Sequence, residues 1–294
     1  MTEATTGSTV PRRQLGRYLR DLRGQARLTV RVAAAALEWS DAKIWRIESG
    51  HTAMRSLDVE QMCRVYGAPA DLTASLMALA KETKARGWWL SYSDVISEGF
   101  DVYIGLEEAA ARLSWYEAEL VPGLLQTPDY ARTLIRAGNP GVDDDEITRR
   151  VQLRVARQKL LTRVTAPPAL NVVLNEAVVR RPVGGRKLMA EQLTHLLDVG
   201  SRPNVSIRVV RFDVGLHYGV MSGPFVLLEF PANSNGRPSE TPTVHRDSFT
   251  GALFLDKPKE VATYDSAFKE IWRAASDEIA STAFIDEVAR EFRE

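Results

Sequence analysis

"TVRVAAAALEWSDAKIWRIESG", residues 29–50, decides how the first part of the chain folds. Its apolar residues recur at helical spacing in two short runs, which predicts two helices joined by a turn. Thr29 and Ser40 stand immediately before the two runs, and a hydroxyl oxygen at such a position caps a helix. Gly50 stands where the second helix must stop.

Trp45 is the residue of this stretch that helical packing does not explain. Ile44 and Ile47 are three residues apart and therefore share the buried side of the second helix. Because a helix turns by about 100° per residue, Trp45 lies at the flank of that side. A large aromatic side chain is thus expected near the helix surface, and what the helix touches decides its role.

Helices are also expected on both sides of this pair. Leucines at helical spacing predict a helix over residues 12–24. Apolar residues recur in the same way over 59–66 and again over 71–84. The sequence therefore predicts five short helices in succession.

Spacing, caps and helix count together resemble the helix-turn-helix of the Xre/Cro phage-repressor-like family. The resemblance spans residues 12–80, and the matching positions are Leu28, Thr29, Ala34, Ser40, Ile44, Arg46, Ile47, Glu48 and Gly50. Three positions depart from the family's pattern: Val30 replaces a glutamine, Ala33 a leucine and Glu38 the glycine of the interhelix turn. The last departure leaves the geometry of the turn open. Arg31, next to Val30, is expected to take over a phosphate contact.

The resemblance implies that the second helix of the pair enters the major groove of double-stranded DNA. The candidate DNA-binding residues, carried over by position, are Thr29, Arg31, Ser40, Asp41, Ala42, Lys43, Trp45 and Arg46. Asp41, Ala42 and Arg46 are expected to face base edges, and Arg46 could bind guanine O6 and N7 through two parallel hydrogen bonds. Arg31 and Lys43 are expected to bind phosphates.

Two of these residues keep a second interpretation. Asp41 could accept a hydrogen bond from a cytosine amine, or it could simply stabilise the N-terminus of the helix. Trp45 could lie along the sugar-phosphate backbone with its indole N–H bonded to a phosphate. Alternatively, it could pack against the fourth helix or a second domain.

The charge distribution favours a polyanionic partner at the N-terminal end. The 38 basic and 38 acidic residues cancel over the whole chain. Residues 12–90 nevertheless hold 14 basic and 8 acidic residues, so this part carries +6 and the rest −6. Positions 12 to 31 contain seven arginines, and Asp21 is the single acidic residue in this range. This pattern indicates either a nucleic-acid-binding surface or a solvated helix surface.

The composition argues against a disulfide-bonded, membrane-spanning or secreted protein. The single cysteine, Cys63, excludes an internal disulfide and a cysteine-based metal site. No apolar run approaches the roughly 18 residues needed to cross a bilayer. The polar residues 1–10 have neither the basic start nor the apolar core of a signal peptide. We therefore expect a cytoplasmic protein with a disordered tail over 1–10, no membrane association, no metal and no cofactor.

Beyond the helix-turn-helix domain, residues 11–85, a connector and a second domain are expected. The aromatic, irregular composition of 86–104 predicts a connector packed on a domain rather than a flexible linker. Residues 105–165 are predicted to be helical, and β-rich runs alternate with amphipathic helices over 166–294. The expected fold class is mainly α with an α+β C-terminal domain: a five-helix head, a helical segment and a mixed α/β domain.

The second domain resembles the C-terminal domain of a large family of actinobacterial, Streptomyces-type regulators, which pair it with an Xre-like head. The matching strings are the tryptophan pair at 88–89, "YIGLEEAAARLSWYEAELVPGLLQTPDYARTLI", "RRPVGGRKLMAEQLTHLL", "SGPFVLLEF" and "GALFLDKPKEV". The resemblance implies a transcriptional regulator of development or secondary metabolism with a small partner protein. We interpret residues 105–294 as a domain that forms a homodimer and senses that partner or a small-molecule effector.

The second domain offers few candidates for chemistry. A basic string before a predicted helix contains Arg180, Arg181, Arg186 and Lys187. These side chains could bind an anion or ligand at the helix N-terminus, or they could form a basic turn. His245, Asp247 and Ser248 are close in sequence, but catalytic triads normally assemble from distant segments, and a G-x-S-x-G elbow is missing.

The main hypothesis is therefore a sequence-specific DNA-binding regulator that is not an enzyme. Two alternatives stay open at this point. One is an antitoxin-like protein whose main role is to bind a small partner protein, and the other is an enzyme domain targeted by a DNA-binding head.

Overall fold

The computed structural model describes residues 9–83, 87–97, 99–164, 166–232, 238–248 and 251–294. The chain divides into two compact units. Unit 1 extends to Ala109, except that Asp94–Ile96 join Ala110–Glu294 in unit 2. Unit 1 is helical, whereas unit 2 combines a mixed β-sheet with helices. The predicted fold class is thereby confirmed.

The described part of unit 1 is built from short helices around one apolar core. They are α1 (Thr9–Gln25), α2 (Val30–Leu37), α3 (Asp41–Glu48), α4 (Ser56–Tyr66), α5 (Ala70–Glu82) and α6 (Phe100–Ala109), with a 3-10 turn at Trp88–Tyr92. Leu15 and Leu19 of α1 are fully buried, as are Ile44 of α3 and Val59 and Met62 of α4. The three- and four-residue spacing of the apolar positions thus produces a single shared core for α1–α5.

Two boundaries differ from the sequence prediction. Helix α1 begins at Thr9, so a disordered tail over 1–10 is wrong for its last two residues, and residues 1–8 lie outside the described part of the chain. The last five residues of the predicted connector, 100–104, belong to helix α6 of unit 1. Gly105 explains this packing, because a Cβ added there would lie 1.8 Å from Thr9 Oγ1. Only a glycine lets α6 approach α1 so closely.

Unit 2 contains the remaining elements of the described chain. The strands are β1 (Arg112–Glu117), β2 (Ala169–Asn175), β3 (Val205–Val210), β4 (Phe225–Glu229), β5 (Thr243–Ser248) and β6 (Gly251–Leu255). The helices are α7 (Pro128–Gly138), α8 (Asp144–Gln158), α9 (Glu176–Arg180), α10 (Arg186–Gly200), α11 (Tyr218–Ser222), α12 (Pro258–Ala274) and α13 (Glu278–Arg293). Short 3-10 turns occur at Gly123–Leu125, Lys159–Thr162 and Phe212–Val214.

The strands form a mixed sheet in the order β3-β2-β1-β4-β5-β6. Strands β1, β2 and β3 are parallel, whereas β4, β5 and β6 are each antiparallel to the preceding neighbour in this order. Helix α12 packs on one face of the sheet, where Tyr116, Val173 and Phe225 form a core with Phe268 and Ile271. None of the helices in the described residues could span a lipid bilayer.

Strand β1 contradicts the prediction that residues 105–165 are helical. It lies between β2 and β4, and four successive residues, Leu113 to Tyr116, are buried. A strand covered on both faces lacks the alternation of apolar and polar residues that marks a half-buried strand. The apolar run therefore has no period that distinguishes it from a helix. Strand β6 and the short helices α9 and α11 were not predicted either.

Candidate nucleic-acid interface

Helices α2 and α3 each begin at a side-chain cap. The Thr29 hydroxyl oxygen accepts a hydrogen bond from the Val32 N–H, and the Ser40 hydroxyl oxygen accepts one from the Lys43 N–H, both at 3.2 Å. Each bond satisfies an N–H group at a helix start that has no partner within the helix. Thr29 and Ser40 are both exposed, so their hydroxyl groups remain accessible from solvent.

Glu38 adopts the conformation that a glycine would favour in the interhelix turn. Its φ and ψ are 56° and 37°, in the left-handed region, and its N–H reaches the carbonyl oxygens of Ala34 and Ala35. A residue with a Cβ loses roughly 1–2 kcal/mol in this conformation. The turn therefore keeps its geometry without glycine, at the expense of local strain.

The inward side of α3 is held against α1 at close range. Ile44 and Ile47 are 0% and 2% exposed. A Cβ added to Gly16 of α1 would lie 2.6 Å from the Ile47 carbonyl oxygen, so the two backbones approach closely only because Gly16 has no side chain. This contact fixes which side of α3 faces outward.

The outward side of α3 carries the residues that the sequence assigned to base edges. Asp41, Ala42 and Arg46 are all exposed. Ala42 and Arg46 are one helical turn apart, and Arg46 Nε lies 3.4 Å from the Ala42 carbonyl oxygen. Lys43 is half-buried, with Nζ 3.2 Å from the centre of the Trp39 ring. Its predicted phosphate contact would therefore require the ammonium group to leave this ring.

Trp45 is 57% exposed, so it is not a buried packing residue within unit 1. Its ring stacks on His51, with ring centres 5.1 Å apart and an interplanar angle of 25°. The Ser49 hydroxyl donates to the Trp45 carbonyl oxygen at 2.6 Å and lies 2.7 Å from His51 Nδ1. If the Ser49 proton is donated to the Trp45 carbonyl oxygen, His51 Nδ1 must carry a proton and donate it to the Ser49 oxygen.

Ser49 and His51 were not singled out from the sequence, although they position Trp45. One signal could have identified Ser49, which follows Trp45 by four residues and therefore lies on the same face of the helix. Helix α3 ends at Glu48, and His51 follows Gly50, whose φ of +79° turns the chain back. Helical spacing therefore does not predict the contact between His51 and Trp45.

Part of the basic N-terminal block is structural. Arg23 binds Glu48 through two hydrogen bonds, from Nε and Nη2, both of 2.7 Å. Their side chains are 15% and 6% exposed. This bidentate pair joins α1 to the end of α3 and raises the pKa of Arg23 above its ordinary value. The Arg23 charge is therefore compensated inside unit 1 rather than by a polyanion.

Other arginines of the block are divided between the interior and the surface. Arg13 is buried, and Arg12 donates from Nε to the Thr83 carbonyl oxygen at 3.0 Å. Arg27 and Arg31 are exposed. Arg31 lies in the first turn of α2, which contains no acidic residue. A cation is unfavourable at a helix start unless an anion lies nearby, so the position of Arg31 suits a phosphate contact.

The four basic residues around α9 and α10 do not meet around a common anion site. Arg180 binds Glu176 at 2.7 Å and Glu291 at 3.1 Å. Arg181 forms an ion pair with Glu119, and Arg186 donates to the Glu291 carbonyl oxygen. Each of these three guanidinium groups contacts an acceptor within unit 2, which favours the alternative of a basic turn. Only Arg186 and Lys187 of the four line a common cavity, beside α13.

His245, Asp247 and Ser248 do not form a catalytic triad. His245 Nε2 lies 3.5 Å from Asp247 Oδ1 on one face of β5. Ser248 points to the other face, because successive strand residues alternate, and its hydroxyl donates to the Gly251 carbonyl oxygen at 2.8 Å. Among the described residues, His, Cys, Asp and Glu form no group of three or more that could hold a metal ion.

The geometry of unit 1 defines a helix-turn-helix protein with an outward-facing third helix. In agreement, a family profile described as "Helix-turn-helix domain" matches residues 14–76, from α1 into α5. These findings support a DNA-binding regulator. A second profile, "Domain of unknown function (DUF5753)", matches residues 100–287, which is more than half of the chain. The chain therefore belongs to the DUF5753 family. No curated protein and no solved structure matches it.

Proposed function

We propose that this protein is a sequence-specific transcriptional regulator that binds double-stranded DNA as a homodimer in the cytoplasm. The observation that carries the proposal is the outward face of α3, where Ala42 and Arg46 are exposed one turn apart. Close contact with Gly16 holds the opposite side of the helix. A recognition helix needs such a rigid, exposed face to enter a major groove.

Each exposed residue has a defined role in this proposal. Arg46 binds guanine O6 and N7, which is worth roughly 1–3 kcal/mol of discrimination against other bases. Ala42 contacts a thymine methyl group, and Asp41 stabilises the start of α3 or accepts from a cytosine amine. Arg31, Lys43 and the capping hydroxyls bind phosphates.

Trp45 contributes to affinity rather than to sequence selection in this arrangement. Its ring is held by stacking on His51, which Ser49 fixes through a 2.7 Å contact. An indole held at the edge of the recognition face presents a flat apolar surface to sugar and an N–H donor to phosphate. Since phosphates are the same in every sequence, this contact strengthens binding to all DNA.

The homodimer is proposed because one small head makes few base contacts. Two heads on one face of DNA read half-sites that are about 10 bp, or a multiple of this, apart. An exposed apolar segment of unit 2 supports a self-association surface; its exposed members are Phe212, Val214, Leu216, Tyr218, Val220 and Met221. Patches of this kind mark protein interfaces. We assign this segment to a second copy of the chain.

Control through unit 2 completes the proposal. A small partner protein or a small-molecule effector acts on this unit and changes DNA binding. The biological role proposed is regulation of development or secondary metabolism in an actinobacterium. The family resemblance supports this role, and the chain's 30 arginines against 8 lysines agree with such a source.

Selection of binding sites from random double-stranded DNA tests the proposal. The full chain should enrich a near-palindromic sequence, and footprinting should show two protected half-sites about 10 bp apart or a multiple. Light scattering should show a dimer. Failure to enrich any sequence would contradict sequence-specific binding. A monomer with one unrepeated footprint would contradict the dimer alone.

Two matched variants test the self-association surface. Leu216 and Ile279 both belong to unit 2 and are 78% and 84% exposed. Leu216→Asp should dissociate the dimer, because it places a charge in the proposed interface, whereas Ile279→Asp should leave the dimer intact. Equal behaviour of the two variants would exclude the 212–221 segment as the interface.

A further inference from the structure

Unit 2 contains a cavity of about 650 Å³ between α12 and the sheet. It opens where Tyr116 and Val173 on the α12 face of the sheet give way to the polar residues Ser114 and Asn171. One row across β2, β1 and β4 consists of Val173, Tyr116 and Phe225, which pack against α12. Two residues closer to the start of β1, the row consists of Asn171, Ser114 and Leu227, which line the cavity. The volume falls within the roughly 300–1,000 Å³ typical of small-molecule sites.

The floor of the cavity presents polar groups without protein partners. Ser114 is 5% exposed, and its register partner Asn171 lies beside it on β2. Within the described residues, neither the Ser114 hydroxyl nor the Asn171 amide forms a side-chain hydrogen bond. Neither group is among the buried side-chain atoms that lack a hydrogen-bond partner, so both are accessible from the cavity. A ligand with matching donors and acceptors would bond them in place of solvent.

The rim of the cavity is charged but balanced. Arg112 lies 3.7 Å from Glu229, and Lys269 lies 2.6 Å from Asp265. Among the residues that the structure describes, the charged lining residues are Arg112, Lys269 and Arg273 together with Glu229, Asp256 and Asp265. The described lining therefore holds three cations and three carboxylates, with no excess charge of its own to compensate an ionic ligand.

The wall opposite the floor is aromatic and held in position. The rings of Trp272 and Phe268 are 5.8 Å apart at an angle of 34°. The guanidinium carbon of Arg208 lies 4.3 Å from the centre of the Trp272 ring, and Arg208 also bonds Glu278 at 2.9 Å. Because these contacts exist without a ligand, little side-chain order would have to be gained on binding.

We propose that this cavity binds an uncharged, mainly apolar small molecule that carries hydrogen-bonding groups along one edge. Its apolar body contacts Phe268 and Trp272, and its polar edge bonds Ser114 and Asn171. The inference deepens the proposed function, since it rests on unit 2 receiving a signal and places the site of a small-molecule effector. The balanced charges of the described lining residues select against organic anions and cations.

Fluorescence titration of the full chain with N-phenyl-1-naphthylamine tests the site. This neutral aromatic amine has an apolar body and one N–H donor, and its emission rises in apolar surroundings. Saturable binding with one site per chain is expected. The sulfonated probe 8-anilino-1-naphthalenesulfonate has the same ring system with a negative charge, and it should bind about tenfold more weakly or worse, which corresponds to ~1.4 kcal/mol.

Two neighbouring residues of α12 provide a matched pair of variants. Ala262 and Thr263 are both exposed, but only Ala262 lines the cavity. Ala262→Trp should fill the opening and weaken binding of the neutral probe at least about tenfold, whereas Thr263→Trp should bind as the original protein does. Thermal melts followed by circular dichroism show whether both variants fold.

Hydrogen exchange provides a test that needs no variant. The neutral probe should slow exchange in peptides from α12 and β1. No saturable binding, equal affinity of the two variants, or protection only in 212–221 would overturn the site. Equal or tighter binding of the sulfonated probe would overturn the uncharged class of ligand. Because no DNA is present, failure here leaves the DNA-binding proposal standing, and failure to select a DNA site leaves this one standing.

Discussion

Replacement of Glu48 by alanine should destabilise unit 1 by about 3 kcal/mol. The carboxylate accepts two hydrogen bonds of 2.7 Å from Arg23. Removing one partner of a buried ion pair costs roughly 3–5 kcal/mol, because the remaining charge stays in the interior without compensation. The lower end applies here, since the Arg23 side chain keeps 15% exposure and hence some contact with water.

Hydrogen exchange of the full chain measures this loss separately in the two units. If exchange in α1 and α3 proceeds through opening of unit 1, a loss of about 3 kcal/mol accelerates it by roughly 10²-fold. Peptides from residues 110–294 serve as an internal control, because they belong to unit 2 and the ion pair lies in unit 1. Their exchange should be unchanged.

A double variant separates the loss of the pair from the loss of packing. Arg23→Met combined with Glu48→Leu replaces the two charges by apolar groups of similar length, and such replacements are often neutral or stabilising. The double variant should therefore recover most of the stability that Glu48→Ala loses. The reasoning fails if Glu48→Ala changes exchange in unit 1 by less than about tenfold, or if the double variant is as unstable as the single one.

Three further predictions follow from strain, exposure and burial. Glu38→Gly should stabilise unit 1 by about 0.5–1 kcal/mol in urea denaturation. The substitution relieves roughly 1–2 kcal/mol of left-handed strain, which exceeds the free-energy cost of the more flexible unfolded chain. Glu38→Ala should show no such gain. Trp45→Phe should keep the melting temperature and weaken binding to all DNA sequences by about 1 kcal/mol in fluorescence anisotropy, through loss of the indole donor, and a loss confined to one sequence would refute a phosphate contact. Burial raises the pKa of Glu117 from 4.5 to about 7, so unfolding releases a proton between these values and the stability of unit 2 should fall as the pH rises through this range. Glu117→Gln should flatten that dependence in denaturation series, and equal slopes for both proteins would contradict it.

The helix-turn-helix could be predicted from the sequence because its signals are local. Thr29 and Ser40 cap helices that begin one residue later, and the isoleucine spacing in α3 identifies the buried side without further knowledge of the fold. The exposure of Trp45 follows from the same spacing. These signals depend on neighbouring residues along one helix, so no distant pairing has to be known.

The sheet of unit 2 and two details of the candidate interface depend on distant residues. Strand β1 obtains its neighbours from β2 and β4, and its burial on both faces removes the period that would identify a strand. The partner of Arg23 is 25 residues away, so a count of charges cannot tell a surface arginine from an ion-paired one. The cavity beside α12 likewise depends on the register of three strands, which places Ser114 next to Asn171.

Measurement of Arg46→Ala on selected and random DNA tests the central claim most directly. Arg46 is exposed on the outward side of α3, and its substitution removes no buried contact. Fluorescence anisotropy at one salt concentration should show a loss of roughly 1–3 kcal/mol on the selected site and a much smaller loss on random DNA. Specificity at one guanine per half-site should relax. An equal loss on both DNAs would show that Arg46 contacts only the backbone, and it would contradict base recognition through α3.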